Sequence, residues 1–501
     1  MEPSIYLNLL YLAGFVFILR KAIVRLQLSK AKHPSLRGHS KMARRLSRLI
    51  PFYEYNESHF FNCDGAPADV ADKRRAGFSN LKKKFLQKSP NALLLGEELE
   101  NNVSDVMFTN HYRVPFQFRN YVKENLPLGN FAIGSSGLQI EDMDGNKSYD
   151  LAGSYGVNVF GYDFYKDCLA KGIEKVKELG PVLGPYHLVI ADNVKRLKAI
   201  SGMDEVSFHM SGTEAVMQAV QLARFHTGRD RLVRFCGAYH GWWDGVQPGV
   251  GNHRKTHDVY TLKDNDKDTL RVLNTRKDIA CVLVNPLQAL HLNGNAPSDS
   301  MLIASDRSAG YDRTAYTKWL KELREVCTRR GIVLILDEVF LGFRLAYGGA
   351  QEYFDIKADM VTYGKTLGGG LPVGVVCGKA HLMKRFTDDQ PSHISFARGT
   401  FNSHPYVMGS MNEFLQRIDN AGFRESYRTN DTIWNKRVSR LNARFESGEL
   451  PVKVFNMSSV MTVTYTLPSR YNWMYQYYLR AEGLALSWVG SGRFIMSHNY
   501  T

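Results

Sequence analysis

After residue 200 the chain alternates short apolar runs with longer stretches of helical spacing, and this alternation limits the fold more than any other feature. EVSFHM, RLVRFC, IACVLVNP, GIVLILDEV and DMVTYG read as strands. GTEAVMQAVQLARFHTG and TAYTKWLKELREVCTRRG read as helices, the second ending at Gly331. Nearly continuous apolar strands are buried on both faces, so the pattern predicts an α/β fold with a mostly parallel central sheet covered by helices. In such folds ligands bind beyond the carboxyl ends of the strands. The chemistry is therefore expected where those strands stop.

Two strand ends carry reactive side chains. YGKTLGGGLPVG, residues 363 to 374, sets Lys365 against a run of glycines. A phosphate-cradling P-loop would need a glycine where Asp359 stands, so the nucleotide reading fails on spacing. A lysine can instead be an amine nucleophile that forms a Schiff base with a carbonyl cofactor. That role needs a partner for a pyridine nitrogen and a phosphate site elsewhere in the chain. GIVLILDEV ends in two carboxylates, and Asp337 is the candidate for holding a pyridine nitrogen protonated. Taken alone, Asp337 reads first as a cap on the next segment or as a Walker-B acid, and it is the pairing with Lys365 that makes it specific.

HMSGTEAVMQAVQLAR, residues 209 to 224, has the form of a phosphate site: strand, small-residue turn, then a helix with an apolar stripe. The first turn of a helix offers free N–H groups and the positive end of the dipole, which attract an anion without a lysine. Ser211, Gly212 and Thr213 stand there. A plain N-cap would explain the Ser or Thr, though not the glycine between them. In FCGAYHGWWDG, Tyr239 and His240 lie just past a strand, where Tyr239 can stack on a planar ring.

SGTEAVMQAVQLAR, the YHG of 239 to 241, LDEVFLGFR, YGKTLGGGLPVG and ARGTFNSHP occur in the order and spacing of class III aminotransferases, which are fold type I pyridoxal-phosphate enzymes. From about residue 110 onward the chain resembles that family, nearest the branch containing glutamate-1-semialdehyde aminomutases. The resemblance implies pyridoxal 5'-phosphate as cofactor, with Lys365 bonded to it, Asp337 on its ring nitrogen and Val339 against the ring face. Gly212 and Thr213 are implied to bind the phosphate, alongside Ser211, with Tyr239 over the other face and His240 beside it. Thr400 matches a threonine that reaches the phosphate of the neighbouring subunit, which implies a homodimer. Ser154 and Tyr155 fall where relatives line the substrate pocket.

Asn285, in VNPLQA, stands where many relatives carry a glutamate near the substrate, and Phe340 with Leu341 makes the approach more apolar than usual. The expected activity is amino transfer from an amine donor to a carbonyl acceptor, such as a hydrophobic aldehyde or ketoacyl group. A 2,1-aminomutase and a non-catalytic membrane-associated scaffold are the alternatives. The expected organisation is a segment 1–50 holding an anchor, a helical extension 51–135, a large cofactor domain 136–405 and a smaller α+β domain 406–501. The chain stops at SHNYT, where relatives continue, so that last domain is expected to lack one helix. Residues 73–88, within the extension, read as a solvated basic helix, and GLQIEDMDGNKSYDLAG, residues 137–153 at the start of the large domain, reads as a hairpin around a DG turn.

The net charge of +15 is concentrated in residues 1–50, which hold ten Lys or Arg against the single acid Glu2. The +6 left over is ordinary for a domain of this size, and no nucleic-acid role is expected. Residues 5–19, IYLNLLYLAGFVFIL, are apolar apart from Asn8. As helix they would extend about 22 Å, short of a full bilayer core of about 30 Å. With the cations that follow, they predict a membrane anchor on the cytoplasmic side. Packing on a partner protein is the alternative. Six scattered cysteines without a C-x-x-C pair predict reduced thiols in the cytoplasm and no metal site.

Overall fold

A computed structural model describes residues 3–32, 40–51, 53–112, 114–126, 129–247, 253–254, 257–293, 309–486 and 493–501. Its centre is a sheet of seven strands: β1 (Glu205–His209), β2 (Arg231–Phe235), β3 (Val259–Leu262), β4 (Ile279–Val284), β5 (Val333–Asp337), β6 (Met360–Gly364) and β7 (Gly374–Gly378). Their order across the sheet is β1-β7-β6-β5-β4-β2-β3. All run the same way except β7, which pairs antiparallel with both β1 and β6.

Alternate residues of these strands feed two cores. Leu334 and Leu336 join one core, together with Val282, Val284, Val361 and Tyr363. Val333, Ile335, Leu283 and Met360 join the other, against Ala215, Val216, Ala219, Val220 and Ala223 of the helix Gly212–Thr227. Two-sided burial explains why the strands read as continuous apolar runs. It also fixes parity: Asp337 and Thr362 continue the face that carries Ile335 and Met360, the face covered by the helix Gly212–Thr227. The helix ends at Gly228 with φ 62°, and Arg313–Arg330 ends at Gly331 with φ 58°, both left-handed caps.

The DG turn does form a hairpin, Gln139–Asp142 with Lys147–Asp150. Its second strand also pairs with Leu484–Ala485, close to the end of the chain. VFNMSSVMTVTYT, read as one strand-like run, is a hairpin of Val452–Met457 and Val460–Tyr465, to which Arg493–Ile495 adds a third strand. The basic helix is Ala68–Lys88, and it is not solvated all round. Ala71, Phe78, Leu81 and Phe85 recur at helical spacing and pack with Phe60, Phe118, Tyr471, Trp473 and Tyr477. Lysines on the opposite face masked that stripe in the sequence. Asp64 and Arg74 pair through two hydrogen bonds of 2.7 and 2.8 Å beside this cluster, with Arg74 over the Tyr471 ring.

Candidate active site

The carboxyl ends of β2, β4, β5 and β6 deliver the residues that the sequence singles out. Asp337, the last residue of β5, is buried, and its carboxylate is held from several sides. His240 Nδ1 stands 2.6 Å from Oδ2. The Thr362 hydroxyl and the Val339 N–H each donate to Oδ1 at 3.2 Å. Burial pushes the His240 pKa down against the pull of Asp337, and the nearby Arg234 charge adds to that push. A neutral imidazole donating its Nδ1 proton to a carboxylate satisfies both groups. Its buried Nε2 has no partner among the described residues.

Three close contacts bring the separate motifs together. A Cβ on Gly212 would lie 2.6 Å from Val339 Cγ1, so the phosphate turn meets the segment after β5 with no room to spare. A Cβ on Gly241 would lie 2.5 Å from the Thr213 hydroxyl, which seats the YHG loop on the same turn. Asn285 follows β4 and donates to the Tyr239 carbonyl at 3.3 Å, while its own oxygen accepts from Leu287 N at 3.2 Å. The Asn285 amide is thus committed to backbone on both sides. Tyr239 keeps 53% of its surface exposed.

At the turn, the Ser211 side chain caps the helix by accepting from Glu214 N at 3.3 Å, and Glu214 reaches back to Met210 N at 2.8 Å. Helix geometry leaves the N–H groups of Gly212 and Thr213 without an intrahelical carbonyl, free for an anion.

Lys365 begins the short turn after β6 with φ 49°, a conformation rare for a residue with a Cβ. Its ammonium donates to the carbonyl of Tyr155 and lies 5.5 Å from the centre of the Phe340 ring. Ser154 and Tyr155 are also left-handed, at φ 43° and 57°. Two of these residues, Lys365 and Tyr155, meet at that hydrogen bond and the third, Ser154, adjoins it, which marks a place where backbone strain of about 1–3 kcal/mol each is tolerated, a frequent property of functional sites. Burial holds the Lys365 pKa down at about 8; Asp337 opposes this and Arg344 reinforces it. An amine so tuned is partly unprotonated near neutrality and can act as nucleophile or base.

Ser154 bonds the Tyr162 hydroxyl at 2.9 Å, and Tyr162 donates to Asp150 at 2.7 Å. Thr400 is exposed and its hydroxyl makes no hydrogen bond among the described residues. Sequence reasoning missed several supports. Thr362 was findable, as a small hydroxyl residue inside an otherwise apolar and aromatic strand. Tyr165, whose hydroxyl stands 2.5 Å from Thr366 Oγ1 and accepts from Val159 N, sits two hundred residues from the lysine and gives no local signal. Arg234 is buried and donates to the Ala238 carbonyl at 2.9 Å, bracing the YHG loop. Buried Arg344 reaches Ser459 Oγ at 2.9 Å and the Met496 carbonyl at 2.6 Å, which ties this site to the end of the chain.

An amine nucleophile, a buried carboxylate and an anion-binding helix start on one edge of a sheet are the parts that pyridoxal-phosphate chemistry needs. Comparison with known proteins agrees. The profile of the family Aminotransferase class-III matches residues 123–495. A glutamate-1-semialdehyde 2,1-aminomutase of Methanococcus maripaludis strain C5 is 33% identical over 359 residues, covering 68% of this chain and 78% of that protein. The corresponding aminomutase of Methanocaldococcus jannaschii is 33% identical over 341 residues, 64% of this chain and 73% of that one. Among solved structures, a glutamate-1-semialdehyde aminomutase from Pseudomonas aeruginosa PAO1 superposes with TM-score 0.66 at 18% identity, covering 85% of this chain and 94% of its own. An omega-transaminase from Sphaerobacter thermophilus superposes with TM-score 0.64 at 22% identity, covering 82% and 94%. The chain belongs to the class-III aminotransferase family and is a pyridoxal-phosphate-dependent enzyme of the aminotransferase or aminomutase type.

Proposed function

We propose that the protein transfers an amino group from an amine donor to a hydrophobic carbonyl acceptor, with Lys365 and Asp337 as the catalytic residues. Bound pyridoxal phosphate supplies an aldehyde to carry nitrogen and a ring that withdraws electrons from the substrate carbon. The residues present fit it. Asp337 Oδ2 keeps a lone-pair direction beyond the one used by His240, suited to a protonated pyridine nitrogen. Gly212 and Thr213 offer N–H groups to the phosphate, with Ser211 shaping the turn. Val339 and Tyr239 would pack on the ring, and His240 fixes the acid. Lys365 would hold the cofactor and, as a free amine, would move a proton at its Nζ. The Tyr155 carbonyl gives the freed amine a hydrogen-bond partner.

The observation that carries the acceptor class is Phe340. Its ring stands beside the reactive amine and fills the space where a Cβ on Gly156 would come within 2.6 Å. Asn285 brings no charge to the same region. Ser154 and Tyr155 line this approach. Purified protein mixed with a panel of amines, followed by cofactor absorbance, identifies the donor; long-chain aldehydes and small keto acids then compete as acceptors. Turnover confined to small charged substrates would contradict the reading.

The named relatives favour a second reading, a 2,1-aminomutase, in which nitrogen returns to a neighbouring carbon of the same molecule. Stoichiometry separates the two, since only transfer consumes a second carbonyl compound and releases a deaminated donor, whereas an aminomutase turns over a single substrate. We further assign the working form as a homodimer in which Thr400 reaches the partner's phosphate, supported by the exposed Phe396 and Phe401 flanking it. Residues 5–19 are assigned to a membrane, with the enzyme on its cytoplasmic face.

A further inference from the structure

The helix α1 (Pro3–Ala31) runs without a break from the apolar stretch into the catalytic core. Every residue from Tyr6 to Ile23 is exposed, and Leu10, Phe15 and Ile18 keep 70%, 64% and 67% of their surface open. The last two turns differ. Val24, Gln27 and Leu28 are half-buried and Ala31 is fully buried, the i, i+3, i+4, i+7 set of a single helix face. Ala31 belongs to the main core, with Leu28 packed on it. Its carbonyl accepts from Lys263 N at 2.8 Å, and α1 packs against the helix Lys267–Thr275.

Lys263 directly follows Leu262, the last residue of β3. Because β3 runs parallel to β2, β4 and β5, this junction lies at the catalytic end of the sheet. Three strand spacings separate β3 from β5, about 14 Å. Arg20, Lys21, Arg25 and Lys30 form no ion pair among the described residues. Lys21 instead lies 4.4 Å from the centre of the Phe17 ring. An apolar rod that ends in unpaired cations of one sign matches an anionic bilayer: hydrocarbon for the rod, lipid phosphates for the cations.

We propose that α1 is a lipid-seated mount. Residues 5–19 enter the hydrocarbon of an anionic bilayer and the four cations sit at its headgroups. The docked last turns hold the catalytic end of the sheet toward the membrane surface. The inference rests on the membrane assignment of residues 5–19 and adds the lipid class and the orientation. A hydrophobic carbonyl compound dissolved in that bilayer would then meet the enzyme from the side on which Lys365 lies.

The test uses the full chain diluted from detergent into phosphatidylcholine vesicles with or without phosphatidylserine, then floated. The expected partition is about tenfold or more in favour of the anionic vesicles, shrinking at high salt, and lost in the combined Arg20→Gln, Lys21→Gln, Arg25→Gln, Lys30→Gln variant. Spin labels at positions 26 and 271 should report one narrow distance on vesicles. Ala31→Gln, which adds bulk at this buried position and no charge, should broaden it without changing partition. Failure to float with either vesicle would remove the membrane assignment itself. Equal partition into both lipids, or a broad distance in the unaltered helix, would overturn the mount.

Discussion

His240 Nδ1 stands 2.6 Å from Asp337 Oδ2, with both side chains almost wholly buried. The pair couples the loop after β2 to the end of β5, and among the described residues His240 alone grips that oxygen of the carboxylate. A hydrogen bond to a charged group contributes about 1.5–3 kcal/mol. His240→Ala should therefore weaken pyridoxal-phosphate binding about 10- to 100-fold while the far-UV circular dichroism stays unchanged. Equilibrium dialysis of the cofactor measures this directly.

Gly212 is a matter of space rather than backbone conformation. With Val339 Cγ1 2.6 Å from any added Cβ, Gly212→Ala should cost about 1–3 kcal/mol of stability and displace the phosphate turn. Val339→Ala removes the obstructing atom. The double variant should recover melting temperature and cofactor affinity together, whereas a turn defect of another origin would leave it as damaged as the single one.

The Lys365 amine, held at about 8, should capture cofactor faster as pH rises to about 8 and level off above it, followed by stopped-flow absorbance of apoprotein mixed with pyridoxal phosphate. The same depression has a stability consequence. Between about 8 and the ordinary lysine value of 10.5 the unfolded chain binds the extra proton, so stability rises with pH across that window. Below it the buried charge is a full penalty. Lys365→Met should then raise the melting temperature of the apoprotein at pH 7, and that gain should fade by pH 10.5.

How much of this was readable beforehand depended on sequence distance. Strands buried on both faces appear as apolar runs, so β1, β2, β4, β5 and β6 were legible along with the helices that follow β1 and precede β5. The turn Ser211–Thr213 was legible for the same reason, because a helix start is a local event. What could not be read was contact between distant segments. Nothing near Lys365 announces the Tyr155 carbonyl, and nothing near Tyr165 announces Thr366. Arg344 looked like part of a motif, and only its bond to the Met496 carbonyl reveals that the chain end braces the site. The stripe of the helix Ala68–Lys88 was hidden by the lysines on its other face.

That helix supports a prediction about the extension. Phe60 is fully buried and meets the rings of Phe61, Phe78, Phe118, Tyr121, Tyr471 and Trp473. Phe60→Ala should cost about 3–5 kcal/mol. Because Tyr471 and Trp473 lie near the end of the chain, urea unfolding should show the loss. Limited proteolysis should cut first between residues 57 and 126.

The account turns on one amine. Protein equilibrated with pyridoxal phosphate, reduced with borohydride and digested, should carry the pyridoxyl mass on the peptide containing Lys365 and on no other. Cofactor that binds without becoming attached to Lys365, or that is recovered on a different lysine, would contradict it.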